Sequence, residues 1–171
     1  MAITEQVLDK LGNGFSISRM TEHDLLEVVE IEEESGLSRW GWAAYYAELQ
    51  GSNRDLMLVA RAPKSKAPRV SHTLAAYIVA RIGANELHIN NVAVRERYRR
   101  QGIGLNLIGR ILEEGKRRGV AAAFLELRAG NTAALSLYES CGFRLTSRRK
   151  KYYTEPTEDA LVMTIQLGRN A

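Results

Sequence analysis

Residues 91–118 constrain this chain most: an apolar run, a basic glycine-bearing turn and an amphipathic stretch follow one another without a break. Val92, Ala93 and Val94 close a strand; Arg95, Arg97, Arg99 and Arg100 follow, and then Gly102 and Gly104 stand where helical spacing begins. Ile103, Leu107, Ile108, Ile111 and Leu112 recur at three and four, which makes one buried stripe of a helix. Lys116, Arg117 and Arg118 suit its C-terminus, and Gly119 supplies a left-handed stop. Strand, turn and helix in this order place unpaired backbone N–H groups, with a favourable dipole, behind glycines that no side chain obstructs. Residues 99–104 therefore read as a pyrophosphate cradle. A Gly-x-Gly at a helix start is equally compatible with tight packing, and the spacing is neither the dinucleotide fingerprint nor the lysine-ended phosphate loop.

Composition narrows the classes. A chain of 171 residues, 45% hydrophobic and 26% charged, suits one domain. We expect residues 1–14 as a loosely held lead-in and 15–171 as that single domain. The net charge of +4 permits an anionic ligand, while 20 interspersed acidic residues make no demand for nucleic acid. The single cysteine, Cys141, excludes an internal disulfide and reads as a small apolar helix residue in a reducing compartment. His23, His72 and His88 are scattered without metal-ligand spacing, so no metal is expected. Without a long apolar run or a signal pattern, the expectation is a cytoplasmic protein with no membrane contact, as a monomer or weak dimer.

Ahead of the central stretch, Phe15, Ile17 and Arg19 begin a short strand and Thr21 caps a helix carrying Leu25, Val28, Val29 and Ile31. Glu30, Glu32, Glu33 and Glu34 crowd the end of that helix, against its dipole. Their plain reading is a solvated face; the sharper one is a lip that attracts a cationic substrate. Residues 39–49 hold Trp40, Trp42, Tyr45 and Tyr46, a second short helix whose aromatics are expected to pack inward, with room for some of them to line a groove. Strands are expected from Leu56 and over 73–82 and 86–94, with a lysine- and proline-rich loop at 63–68. In the last of these strands Leu87 and Ile89 share one parity, Val92 and Val94 the other, so a bulge near Asn90 or Asn91 is expected.

Residues 121–128 form a short buried strand interrupted by Glu126. A carboxylate among Phe124, Leu125 and Leu127 requires a partner, solvent or a proton, and Arg128 on the same strand face is the near candidate. Asn131 caps a helix with Ala134, Leu135, Tyr138 and Cys141, which Gly142 ends. Two strands, 145–153 and 160–167, complete the chain. The basic run 148–151 reads as a solvated strand edge.

Arg99-Arg100-Gln101-Gly102-Ile103-Gly104 resembles the coenzyme-binding signature of the GCN5-related N-acetyltransferases (GNAT). Leu125-Glu126-Leu127-Arg128-Ala129-Gly130-Asn131, with Leu137-Tyr138-Glu139-Ser140, Gly142-Phe143 and Tyr152-Tyr153, is similar to the ribosomal-protein-alanine type within that superfamily. The likeness is strong from Glu86 onward. Upstream, Arg39-Trp40-Gly41 stands where that type has Pro-Trp-Ser. The resemblance implies an α/β fold, a mixed sheet of about seven strands splayed between its fourth and fifth, with four helices. It implies acetyl-CoA as co-substrate, with Val92, Ala93 and Val94 bonding pantetheine, Arg99, Arg100, Gln101, Gly102, Ile103, Gly104 and Leu105 at the pyrophosphate, and Asn131 on the coenzyme arm. Glu126 would be the general base, directly or through water, and Tyr138 the general acid. The implied acceptor is a protein N-terminus such as an alanine-starting ribosomal protein. A small amine, or a non-catalytic acyl-CoA-binding module, stays open beside it.

Overall fold

The computed structural model describes residues 7–37, 39–66 and 73–168. His72, residues 67–68 of the expected loop and the first six residues of the expected lead-in lie outside them. The chain falls into two compact units, one within Met1–Val79 and Asn91–Leu107, the other Ala80–Asn90 with Ile108–Ala171. Among the described residues there are eight strands and four α-helices, and the strand order is β1-β2-β3-β4-β5-β6-β8-β7 in one sheet.

In the first unit, β1 (Val7–Lys10), β2 (Ser16–Arg19), β3 (Met57–Arg61) and the start of β4 (Leu74–Gly83) pair antiparallel in sequence order. β1 is the strand beyond the expected seven, and it falls inside the expected lead-in. Its side chains are mostly exposed, so it carries no apolar alternation and backbone bonds to β2 define it. β3 is buried on both faces, and α1 (Leu25–Glu34) packs there through Leu25, Val28 and Ile31 with Met57, Val59 and Tyr77. Thr21 does mark the entry to this helix. Asp24 accepts from the Thr21 N–H at 2.8 Å and its hydroxyl at 3.2 Å, across a 3-10 turn, Glu22–Asp24, that precedes α1.

Aromatics of α2 (Gly41–Leu49) do not all turn inward. Tyr45 is fully buried, whereas Trp42 and Tyr46 stack on each other at 4.9 Å and stay 44% and 37% exposed. They stand four residues apart on a helix, so they share a face that Tyr45 does not.

The second unit holds the remaining pairings. β4 turns into β5 (Glu86–Val94) through Ala84 and Asn85, both left-handed at φ 49 and 62, the two-residue turn whose twist suits a hairpin. β5 pairs parallel with β6 (Ala122–Arg128) from Glu86↔Ala122 to Ile89↔Leu125. β6 pairs antiparallel with β8 (Thr157–Gln166), and β8 with the edge strand β7 (Arg144–Thr154). The last two strands are longer than expected because Glu155-Pro156 alone joins them.

Burial along β5 continues as Leu87, Ile89, Asn91, Ala93, so the anticipated change of face does not occur. The polar Asn91 holds the buried parity and sets Val92 and Val94 on the half-exposed face. α3 (Ile103–Arg117) buries its five-residue stripe as expected, and Gly119 follows it at φ 75. α4 (Thr132–Ser140) begins at Asn131, whose side-chain oxygen accepts from the Ala134 N–H at 3.1 Å, and Gly142 lies just past its end at φ 97. Cys141 is free and partly buried at its C-cap, and burial pushes its thiol up, away from the reactive thiolate. Among the described residues no helix is long and apolar enough to cross a membrane.

Candidate active site

The first unit contains the coenzyme-loop residues. Val92 and Val94 are half-exposed, Ala93 is buried, and the Val94 carbonyl accepts from Arg99 Nε at 3.0 Å. Between Tyr98 and Ile103 the chain turns through two left-handed residues, Arg100 at φ 61 and Gly102 at φ 77. Arg100 is the informative one, since a side chain there carries strain that surrounding contacts must hold. Those contacts are present. Tyr98 is buried, donates to the Lys66 carbonyl at 2.9 Å and meets the Phe15 ring edge-on at 5.4 Å; Asn13 Nδ2 donates to the Gln101 carbonyl at 3.3 Å.

Gly102 leads directly into α3, its carbonyl taken by the Asn106 N–H at 3.0 Å and Asn106 Nδ2 at 2.7 Å. Its exposed backbone therefore presents the N–H side of a helix start, with the Arg99 and Arg100 side chains exposed nearby and Ile103 and Gly104 buried behind. Leu105 is 44% exposed. Backbone of this form fits a phosphate-bearing coenzyme.

The acidic end of α1 is neither a solvated face nor a free lip. Arg95, 4% exposed, donates to Glu34 at 2.7 Å, Glu30 at 3.2 Å and Glu27 at 3.3 Å, and its Nε reaches the Leu74 carbonyl at 2.9 Å. Glu32, 1% exposed, accepts from the N–H groups of Trp40 and Gly41 and from the Tyr45 hydroxyl, which also meets Tyr77 and Asn91 at 2.9 Å each. Burial first, then the neighbouring phenol and carboxylate, push the Tyr45 hydroxyl far above its usual range. Glu32 thus fixes the segment between α1 and α2, while Glu27, Glu30 and Glu34 hold Arg95. Glu33 is exposed and matches the plain reading, and Glu34 is exposed as well but is bonded to Arg95.

In the second unit Glu126 lies on the half-exposed face of β6 with Phe124 and Arg128. Its partner is not Arg128. Arg128 is bound to Glu158 at 3.3 Å, to the carbonyls of Glu155 and Pro156, and lies over the Tyr153 ring at 4.3 Å. Arg149 of β7 takes the role instead, with Nη1 2.7 Å from Glu126 Oε1; the Glu126 side chain is 14% exposed and that of Arg149 51%. The Tyr152 hydroxyl bonds the same carboxylate, which pushes that phenol up, and Tyr153 is raised by burial and then by Glu126. Between Arg149 and Tyr153 the β7–β8 register shifts, and Lys151 stands at φ 50 with its N–H on Asp159 at 2.9 Å. That bulge brings the Tyr152 hydroxyl to Glu126.

Tyr138 is the buried residue of α4, edge-on to Phe143 at 6.1 Å. Burial first, then Cys141 and Tyr153, hold its hydroxyl well above the usual phenol range, so it stays protonated. Asn131 remains exposed beside Gly130, whose N–H donates to Glu158 at 2.6 Å. The unit thus gathers a carboxylate, a guanidinium and three phenols. Arg149 was hidden in a run that looked like a solvated edge, and only the register of β7 reveals it.

A glycine-gated helix start after a parallel strand has the backbone form that holds the phosphates of a coenzyme, and similarity to known proteins gives the class, an acyltransferase. The sequence profile of the Acetyltransferase (GNAT) family matches residues 25–143, and the chain belongs to that family. Within it the chain is similar to the ribosomal protein bS18-alanine N-acetyltransferase of Escherichia coli K12, 40% identical over 97 residues, which is 56% of this chain and 66% of that protein. The crystal structure of the E. coli ribosomal-protein-S18-alanine N-acetyltransferase matches with a TM-score of 0.76 at 31% identity, covering 92% of this chain and 96% of that one. The NatC complex bound to Gag peptide and CoA shares the fold, with a TM-score of 0.77 at 24% identity over 90% of this chain and 99% of that one.

Proposed function

We propose that this protein transfers the acetyl group of acetyl-CoA to the N-terminal α-amine of a protein, most simply an alanine-starting ribosomal protein, by direct attack in the cytoplasm. The observation that carries the reading is Glu126: a carboxylate among apolar strand residues whose partners, Arg149 and Tyr152, come from an exposed edge strand rather than from the core. The 31% identity to the E. coli enzyme over nearly its whole length supports the same acceptor class.

Acetyl-CoA supplies the acetyl group as an activated thioester. Backbone N–H groups at residues 102–105 hold its pyrophosphate, with Arg99, Arg100 and Gln101 along the rim, while Val92, Ala93 and Val94 bond the pantetheine and Asn131 the coenzyme arm. A free α-amine titrates near ~8, so it is largely protonated at neutral pH and must lose a proton before it can attack. Glu126 accepts that proton at its carboxylate. Tyr138 donates from its hydroxyl to the departing sulfur; burial keeps it protonated for that purpose. The two residues divide base and acid work between a carboxylate with exposed partners and a buried phenol.

Acceptor choice follows from the segment between α1 and α2. Glu32 fixes the backbone at Trp40 and Gly41 and leaves the Trp42–Tyr46 stack exposed. A small first side chain then fits beside large rings. Incubation with labelled acetyl-CoA and a panel of alanine-starting peptides, acidic-starting peptides and spermidine tests this. Labelled alanine-starting peptide is the expected product, and preferential labelling of spermidine replaces the acceptor reading with a small-amine one.

A further inference from the structure

The turn between β1 and β2 touches the coenzyme loop, and its residues come largely from the stretch expected as a lead-in. The Leu11 N–H donates to the Phe15 carbonyl at 2.8 Å, Gly14 donates to the Leu11 carbonyl at 3.0 Å, and Gly14 is left-handed at φ 87. A Cβ on Gly14 would meet Pro63 at 3.4 Å, so the turn lies against the start of the loop that follows β3. Phe15 is fully buried and carries the Lys66 ammonium over its ring at 5.3 Å, beside its edge-on contact with Tyr98. Ring packing thus docks the turn on the approach to the coenzyme loop, wholly inside the first unit.

Asn13 sits in this turn. Its Oδ1 accepts from the Phe15 N–H at 3.3 Å, the two-residue side-chain turn that asparagine forms readily. Its Nδ2 donates to the Gln101 carbonyl at 3.3 Å, across 88 residues of chain. One contact needs an acceptor and the other a donor, and a single orientation of the amide satisfies both.

The bond to Gln101 fixes more than a carbonyl. In a trans peptide the C=O and the following N–H point in opposite directions, so holding the Gln101 oxygen on Asn13 turns the Gly102 N–H away from the hairpin. Gly102, on one side of this peptide, and Arg100, one residue before it, are both left-handed. Rotating a peptide by half a turn converts one tight turn into another, and a glycine beside it accepts either form. Turned over, this peptide would offer a carbonyl oxygen to a phosphate; held as it is, it offers a donor.

We propose that Asn13 is a positioning residue for the coenzyme pyrophosphate, pinning the Gln101 carbonyl so that the Gly102 N–H stays turned to the phosphates. The inference rests on the coenzyme reading of residues 99–105 and adds to it a residue from a separate element. Asn13→Ala removes the bond, and Asn13→Asp keeps the acceptor for the Phe15 N–H while replacing the donor. Both variants are expected to raise the Kd for CoA about fivefold by calorimetry, and the KM for acetyl-CoA with it, while kcat and Tm stay at the parent values, because an exposed bond sets geometry more than stability. S-acetylpantetheine, which has the thioester but no phosphates, is the control donor, and its kcat/KM with an alanine-starting peptide is expected not to change. An unchanged Kd for CoA in Asn13→Ala overturns the proposal. So does a loss confined to Asn13→Asp, which is repulsion by the added carboxylate, and so does an equal loss with S-acetylpantetheine, which is general loosening. A parent that uses acetyl-CoA and S-acetylpantetheine with equal kcat/KM removes phosphate binding, and the coenzyme reading of the loop fails with the proposal; a parent that prefers acetyl-CoA beside an unaffected Asn13→Ala removes the positioning role alone. If Asn13→Ala does not fold, the same readings on Asn13→Ser decide, since serine keeps the local turn and is too short to reach Gln101.

Discussion

Glu32 and Glu126 are the same residue type, both set among apolar neighbours, and their donors differ in kind. Glu32 is 1% exposed and meets two backbone N–H groups and a buried phenol, donors that the fold itself holds in place. Glu126 is bonded by Arg149, a side chain 51% exposed on an edge strand, and by Tyr152, also exposed. Donors fixed by backbone make a carboxylate structural, since nothing can leave without leaving a buried polar group unpaired. Long, solvent-facing partners can be displaced by an incoming amine, and that freedom is what the base role proposed for Glu126 requires.

The largest expected effects separate the pair. Glu126→Gln should cut turnover by about 10²–10⁴ while Tm stays near that of the parent, because only exposed partners are lost. Glu32→Ala should reverse the pattern. It strands the Trp40 and Gly41 N–H groups and the Tyr45 hydroxyl, at a cost of about 2–4 kcal/mol, with lost acceptor binding following from the displaced segment. Urea unfolding and steady-state rates on both variants check this, and equal stability losses would erase the distinction.

Arg95 extends the comparison to a cation. It is 4% exposed with three carboxylates around it, so Arg95→Met should cost about 3–5 kcal/mol in urea unfolding by leaving partly buried charge uncompensated. A loss below about 1 kcal/mol would make the cage a surface feature.

The smallest effect lies on α3. Glu114 bonds Arg117 at 2.5 Å and Arg118 at 2.7 Å, mainly exposed pairs, and Arg117 foremost holds the Glu114 carboxyl down at about 2. A depressed carboxylate contributes stability that is full above its unfolded pKa, near ~4.3, and lost as pH falls toward 2. Glu114→Gln should therefore lower stability by less than about 1 kcal/mol at pH 7, with the difference fading between pH 4 and 2. A difference that grows on acidification would contradict that sign.

Local pattern made part of this visible from residues alone. The α3 stripe, the Asn131 cap, the limits of β5 and the glycine turn all depend on neighbours within a few positions, so spacing reveals them. Partners across strands do not announce themselves. Arg149 reaches Glu126 from β7, near a bulge, and nothing in the run 148–151 distinguishes it from a solvated edge. Arg95 and Glu34 are 61 residues apart, so the acidic end of α1 looked free. Asn91 preserves the buried parity of β5 as a polar residue because Tyr45 accepts its amide, and a pattern that counts only apolar side chains reads a change of face there. β1 shows little apolar burial to count.

The most direct test of proton abstraction by Glu126 is kcat/KM against pH for the parent and Glu126→Gln, with one alanine-starting peptide. The expected ratio of parent to variant is largest near pH 6 and narrows as pH passes the amine's own value near ~8, where free amine no longer needs a base. A ratio that stays constant across that range, or a variant as active as the parent at pH 6, would contradict the role of Glu126.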